Sequence, residues 1–163
     1  MASGLFVDPT TLLRVAPLVT STAAVWFCAD QYLYYGTFLH RDVRQKTNEV
    51  LPAYWNAHLS KGLFNIFSLY GLSVATGLAN ALSGSSRPAA PGSRWYLAGA
   101  CFSIAHFVFV PWAAEQIRAM VHDGNAVESQ AKWMKVHLTR TFTVDVPGWV
   151  CFGLAVLHSV HAI

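Results

Sequence analysis

Charge is what this sequence has least of. Only 12% of its 163 residues are Asp, Glu, Lys or Arg, while 54% are hydrophobic and the mean hydropathy is +0.37. A soluble domain carries about 25% charged residues. Half that fraction leaves too little polar surface to coat a globule in water, whereas a lipid-facing surface needs none. The net charge is +3, but the basic residues are scattered through short connections. They form no Lys/Arg tract of the kind that tracks phosphates, so nucleic acid is not expected as a partner. The three cysteines, Cys28, Cys101 and Cys151, fall singly in apolar segments without CxxC spacing and read as small buried hydrophobes, not as a disulfide frame or zinc site. Motifs are missing too. There is no GxGxxG, P-loop or haem-attachment run, so no cofactor is assigned. No HxxxH or HExxH pair singles out His40, His58, His106 or His137 as ligands, so no metal is assigned. The first residues lack the order of a cleaved leader, and the first apolar segment is expected to remain as an anchor.

What the sequence does have is four runs long enough to cross a hydrocarbon core, which takes about 20 mainly apolar residues as a helix. They cover about residues 15–39, 58–82, 95–115 and 136–158. The connections are polar and carry breakers: 40–56 contains Pro52, 83–93 is a Ser/Pro/Gly stretch, and 116–135 contains Asp123 and Gly124. The expected fold is all-α, an antiparallel bundle of four transmembrane helices forming a single domain over 1–163, with the lipid bilayer as its solvent. Four short helices bury limited area, which leaves room for a homodimer. Arg14, Arg87 and Arg94 lie on the side of the termini, against Arg41, Arg44, Lys46, Lys61, Arg118, Lys132, Lys135 and Arg140 on the other. Positive connections stay cytosolic. Both termini are therefore expected in the lumen or outside, and in a eukaryote the endoplasmic reticulum is the expected membrane.

Within these runs the polar residues are unevenly spread. Asp30, Gln31, Tyr34 and Tyr35 lie late in the first run, and His58, Lys61 and Asn65 early in the second. His106, Trp112 and Glu115 lie late in the third, and His137, Arg140, Thr141 and Asp145 early in the fourth. Because the runs alternate in direction, all fall in the cytosolic half. A charged side chain at the centre of a membrane helix costs roughly 2.5–3.5 kcal/mol on insertion scales, so such groups face the bundle interior or a wet cavity and pair with one another. One polar level drawn from four helices predicts a pocket. Helical spacing sets Trp26, Asp30 and Tyr34 on one face, His58, Lys61 and Asn65 on a second, and Trp133, His137 and Thr141 on a third. Aromatic walls mixed with charged or proton-transfer groups suit a hydrophobic, partly polar small molecule. Plainer readings stand beside this one. Trp55, Trp95, Trp112 and Trp133 fit an interfacial belt; Lys61, Lys135 and Arg118 fit snorkelling cations; His106 fits an interhelical hydrogen bond. Asp30 must be neutral or paired with a cation, for which Arg140 and His137 are available, and Asp145 is a second partner for Arg140 just before the kinking Pro147.

The stretch Trp133 to Arg140 (WMKVHLTR), preceded by a short polar linker and a third helix carrying Val110, Pro111 and Trp112, resembles the anthrone oxygenases. These are small four-helix membrane proteins within a broad bacterial and fungal family. The resemblance implies tailoring of polyketides or related natural products, with O2 as co-substrate and no established cofactor, and it reaches His137 and Arg140 directly. The chain departs from that family at Glu115 and Gln116. Such chemistry needs a base for an acidic C–H, a cation for the resulting oxyanion and a dry chamber. His137 or His58 is the expected base, Arg140 the oxyanion holder and Asp30 the orienting acid, with Tyr34, Trp55 and Trp133 as walls. Asn65, His106, Trp112 and Thr141 complete the expected binding set. One alternative is a cofactor-free cyclase or isomerase of terpenoids or polyketides, using Asp30, Glu115 or Asp145 as general acid. A second is a non-catalytic scaffold whose buried charges serve assembly.

Overall fold

A computed structural model describes residues 8–83 and 92–159. The reading of the first residues, Arg87 and most of the Ser/Pro/Gly connection lie outside them. Among the described residues all regular structure is helical. Helix α1 (Pro9–Thr37) is followed by α2 (Arg44–Leu82). Helices α3 (Ser93–Ala105) and α4 (Val110–His122) are joined by a 3-10 turn at His106–Phe109 into a third rod. Helices α5 (Ala126–Arg140) and α6 (Val146–Ser159) are joined by a π turn at Thr141–Asp145 into a fourth. All four rods are long and apolar enough to cross a membrane. They present Phe64, Phe142 and Leu157 outward, each more than two-thirds exposed. Helix α1 lies between α2 and α6, and α3 lies between α2 and α6 on the other side, while α4 and α5 pair beyond them.

The helices outrun the expected spans. Helix α2 has 39 residues, roughly 58 Å at 1.5 Å per residue, nearly twice a hydrocarbon core of about 30 Å. Its first turns occupy most of the stretch expected as a connection, despite Pro52. The reason is a buried stripe at i, i+4 and i+8: Thr47, Leu51 and Trp55 are all buried, and the Thr47 hydroxyl donates to the Phe38 carbonyl at 2.7 Å. The 116–135 stretch is also mostly helical. Asp123 and Gly124 (φ +71°) make a short turn there, and Met120, Ala126, Trp133 and Met134 join Tyr35, Leu51 and Trp55 in one apolar core. The charged residues that read as loop are the outer faces of amphipathic helices.

The opposite end, near the termini, is packed through small residues. Phe152 is fully buried against Gly77 and Gly99, where an added Cβ would lie 2.9 and 2.7 Å from its ring. Gly92 starts α3 with φ +85°, and a Cβ there would meet the Ala155 carbonyl oxygen at 2.7 Å. Tyr96 donates to the Arg14 carbonyl at 2.9 Å, and Arg14 donates to the Ser159 carbonyl at 2.9 Å.

Two prolines mark the level between these ends. Pro111 opens α4 just after the 3-10 turn, and Pro147 opens α6 just after the π turn. Proline lacks the N–H that would close an α-helical ladder, so irregular turns sit where the ladder is already broken. In an uninterrupted α-helix Arg140 and Asp145, five residues apart, would point about 140° away from each other. In the π turn the Val146 N–H donates to the Thr141 carbonyl, five residues back, and the extra residue brings the two side chains together.

Candidate active site

The two irregular turns meet at one buried polar cluster. Arg140 donates from Nε to Asp145 Oδ2 at 3.2 Å. His106, from the 3-10 turn, faces the other carboxylate oxygen, with 2.9 Å between Nδ1 and Oδ1. Arg140 also donates from Nη2 to His137 Nδ1 at 3.0 Å. A guanidinium has donors only, so His137 carries its proton on Nε2, which donates to the Cys28 carbonyl at 3.0 Å. Cys28 Sγ lies 3.5 Å from Asp145 Oδ2 and 3.8 Å from the Tyr70 hydroxyl, and the Tyr70 ring packs 3.8 Å from that of His106. His106, His137, Arg140 and Asp145 are each at most 6% exposed. Buried charges persist when paired and hydrogen-bonded, and removing one partner costs about 3–5 kcal/mol; here one carboxylate faces a guanidinium and an imidazole at once.

The hydrogen-bond inventory separates the two imidazoles. Both nitrogens of His137 are engaged. His106 uses Nδ1 on Asp145, while its Nε2 has no partner among the described residues and is not sealed off. Arg140 Nη1 is in the same condition. Both residues line a cavity of about 560 Å³ between α2 and the α3–α4 rod, within the range of drug-sized ligand sites. Its walls are mainly apolar, including Leu59, Ile66, Phe107 and Ile117, and Trp133 and Gln31 also contribute. A base oriented by a carboxylate, beside a fixed cation, at the bottom of an apolar groove can take up a proton and hold an oxyanion. Among the described residues no three His, Cys, Asp or Glu side chains are arranged to hold a metal ion.

An aromatic layer borders the cluster. Tyr35 stacks on Trp55 at 4.6 Å, and Trp133 stacks on His137 at 5.0 Å. Gln130, fully buried, ties the layer together: its Oε1 accepts from Trp55 Nε1 at 3.2 Å, and its Nε2 donates to the Tyr35 carbonyl at 3.2 Å. His58 lines the groove one turn from Gly62, and its Nε2 is sealed without a partner among the described residues.

The expected site residues divide. His106, His137 and Arg140 meet in the cluster, and His58, Trp55 and Trp133 line the groove. Asp30 does not meet them: it is half-buried on α1 and makes no side-chain bond among the described residues, and the acid of the cluster is Asp145. Tyr34 is 64% exposed, and the inward aromatic is its neighbour Tyr35 at 2%. Helix α1 buries Ser21, Ala24, Cys28, Gln31 and Tyr35, a face about 140° away from the Trp26, Asp30 and Tyr34 stripe. Asn65, Trp112 and Glu115 are exposed on the outer faces of their rods. Thr141 is half-buried, and its hydroxyl donates to the His137 carbonyl at 2.9 Å. Cys28, Tyr70 and Gln130 had no distinguishing signal in the sequence. Asp145 had one, its place five residues after Arg140 and two before a proline.

The chain is 31% identical to epoxidase pydX of an Acremonium species over 156 residues, spanning 93% of this chain and 96% of the relative. It is 31% identical over 153 residues to the probable epoxidase scpX of Mollisia scopiformis, covering 91% of this chain and 96% of that one. Oxaleimides biosynthesis cluster protein N of Penicillium oxalicum is 29% identical over 168 residues, spanning 93% of this chain and 91% of the relative. No family model matches the chain. No solved structure matches it either. These relatives support an oxidative tailoring enzyme of natural-product biosynthesis, and the names of the first two speak of epoxidation where the sequence resemblance implied anthrone oxidation. The chain belongs to the fungal protein family that includes epoxidase pydX.

Proposed function

We propose that this protein is a membrane-embedded oxygenating enzyme that epoxidises a carbon–carbon double bond of a hydrophobic natural-product intermediate, using O2. The observation that carries the reading is the Asp145–His106 pair, held beside the Asp145–Arg140 pair, with both His106 and Arg140 lining the apolar groove. Transfer of one atom of O2 leaves the other to be reduced to water, which takes two electrons and two protons; the electrons come from the substrate or from a separate reductant. In this reading Arg140 stabilises the oxygen anion through Nη1, His106 passes the protons through Nε2, and Asp145 holds the His106 ring and balances Arg140. His137 positions Arg140. The apolar walls keep water from the reacting atoms. Four apolar rods and the uneven basic residues support an endoplasmic reticulum protein with lumenal termini and a groove in the cytosolic half. A glycosylation tag inserted beside Asp42 is expected to stay unmodified.

Anthrone-type oxidation is the second reading, and it uses the same groups: His106 removes a C–H proton and Arg140 holds the enolate oxygen. A cyclase has less support. Asp145 is occupied by Arg140 and His106, Glu115 is exposed, and Asp30 stands outside the cluster. The deciding experiment is mass spectrometry of metabolites from a host expressing this chain with its neighbouring biosynthetic genes under ¹⁸O2. A product gaining one labelled oxygen, lost with His106→Gln, is expected. The same product formed without O2 would sink the oxygenase reading in favour of the cyclase.

A further inference from the structure

The groove has two polar ends. Its inner end holds His106 and Arg140, and the lining then runs along one face of α4 through Val110, Ala114 and Ile117 to Arg118 and His122. Those two sit twelve and sixteen residues beyond His106, roughly 18–24 Å along the rod. Across the gap, Asn56 on α2 also lines the outer end. The stretch between is apolar on the α4 wall and, apart from His58, on the α2 wall. Arg118 forms no ion pair among the described residues. Glu115, one turn earlier, is exposed and is not part of the lining. A cation at the polar end of a long apolar channel complements an anionic amphiphile, whose head pairs with the guanidinium while its chain replaces water along the walls.

We infer that the groove binds a long-chain carboxylate. Arg118 and His122 hold its head at the outer end, and its body runs inward to bring the far segment against His106 and Arg140. Oxidation then falls on a bond remote from the head. That last step rests on the oxygenase reading above; the binding does not. Arg118 is a positioning residue here, selecting substrates by head group and setting which carbon reaches the inner end.

The test uses the full chain in phosphatidylcholine nanodiscs, with 11-(dansylamino)undecanoate as probe and empty nanodiscs as background. Oleate should displace the probe about tenfold better than methyl oleate, the loss of a charge-assisted hydrogen bond. That preference should vanish in Arg118→Gln and survive in Arg118→Lys. Equal displacement by acid and ester in the unaltered protein would overturn the inference, as would an unchanged preference in Arg118→Gln. Displacement by phosphatidic acid in the nanodisc as effective as by oleate would overturn it too, because the occupant would then be bilayer lipid. Binding is read without turnover. Arg118-dependent binding in a protein that oxidises nothing sinks only the oxygenase reading, while normal oxidation with an unchanged KM in Arg118→Gln sinks only this one.

Discussion

The two ends of the bundle solve opposite problems. Near the termini, Gly77, Gly99 and Gly92 let backbones approach until Phe152 and Ala155 fill the space, and polar groups bond over short reaches. Beyond the π turn the helices part, and the space between α2 and α4 is left as a groove of about 560 Å³. Tight packing and an open chamber coexist because a layer of buried ion pairs lies between them. The closed end holds the rods in register, and the open end spends that rigidity on a binding site.

That division can be tested from its largest expected effect to its smallest. His106→Gln should lower turnover by about 10²–10⁴-fold per folded molecule; a variant with full turnover would remove His106 from the chemistry. Arg140→Met leaves Asp145 buried without its cation and should cost about 3–5 kcal/mol of stability. Adding Asp145→Asn should recover part of that loss, and strict additivity of the two would argue that the pair is not coupled. Gly99→Ala places a Cβ 2.7 Å from the Phe152 ring and should cost about 1–3 kcal/mol. Turnover per folded molecule should stay unchanged, and a catalytic defect instead would mean the closed end is not merely structural. Asp30→Asn should shift stability by no more than about 0.5 kcal/mol and leave turnover intact. A loss comparable to that of His106→Gln would restore Asp30 to the site.

The four rods were readable because length and apolarity alone identify them. Their extensions were harder: Arg44 to Asn56 reads as a charged connection until the Thr47, Leu51 and Trp55 stripe is given a core to face. The inward face of α1 was misread for a physical reason. In water the apolar stripe points inward, but lipid is as apolar as Leu, so large side chains point out and small or polar ones pack inside. Trp26 and Tyr34 followed that rule, and Cys28 and Gln31 marked the interior. His106, His137 and Arg140 were found from cost, since charge at such depth demands a partner. The sequence offered two acids, Asp30 and Asp145, as partners for Arg140 and did not choose between them. Spacing on an ideal helix sets Asp145 away from Arg140, and only the irregular turn reverses it.

That turn has a price visible in its backbone. Winding Thr141 to Asp145 into an ordinary α-helical ladder, with no residue removed, would swing the carboxylate about 140° off the guanidinium. The repaired helix would be the better helix and the poorer enzyme. The site therefore depends on an imperfection, and a designer who idealised it for stability would erase the buried ion pairs it brings together.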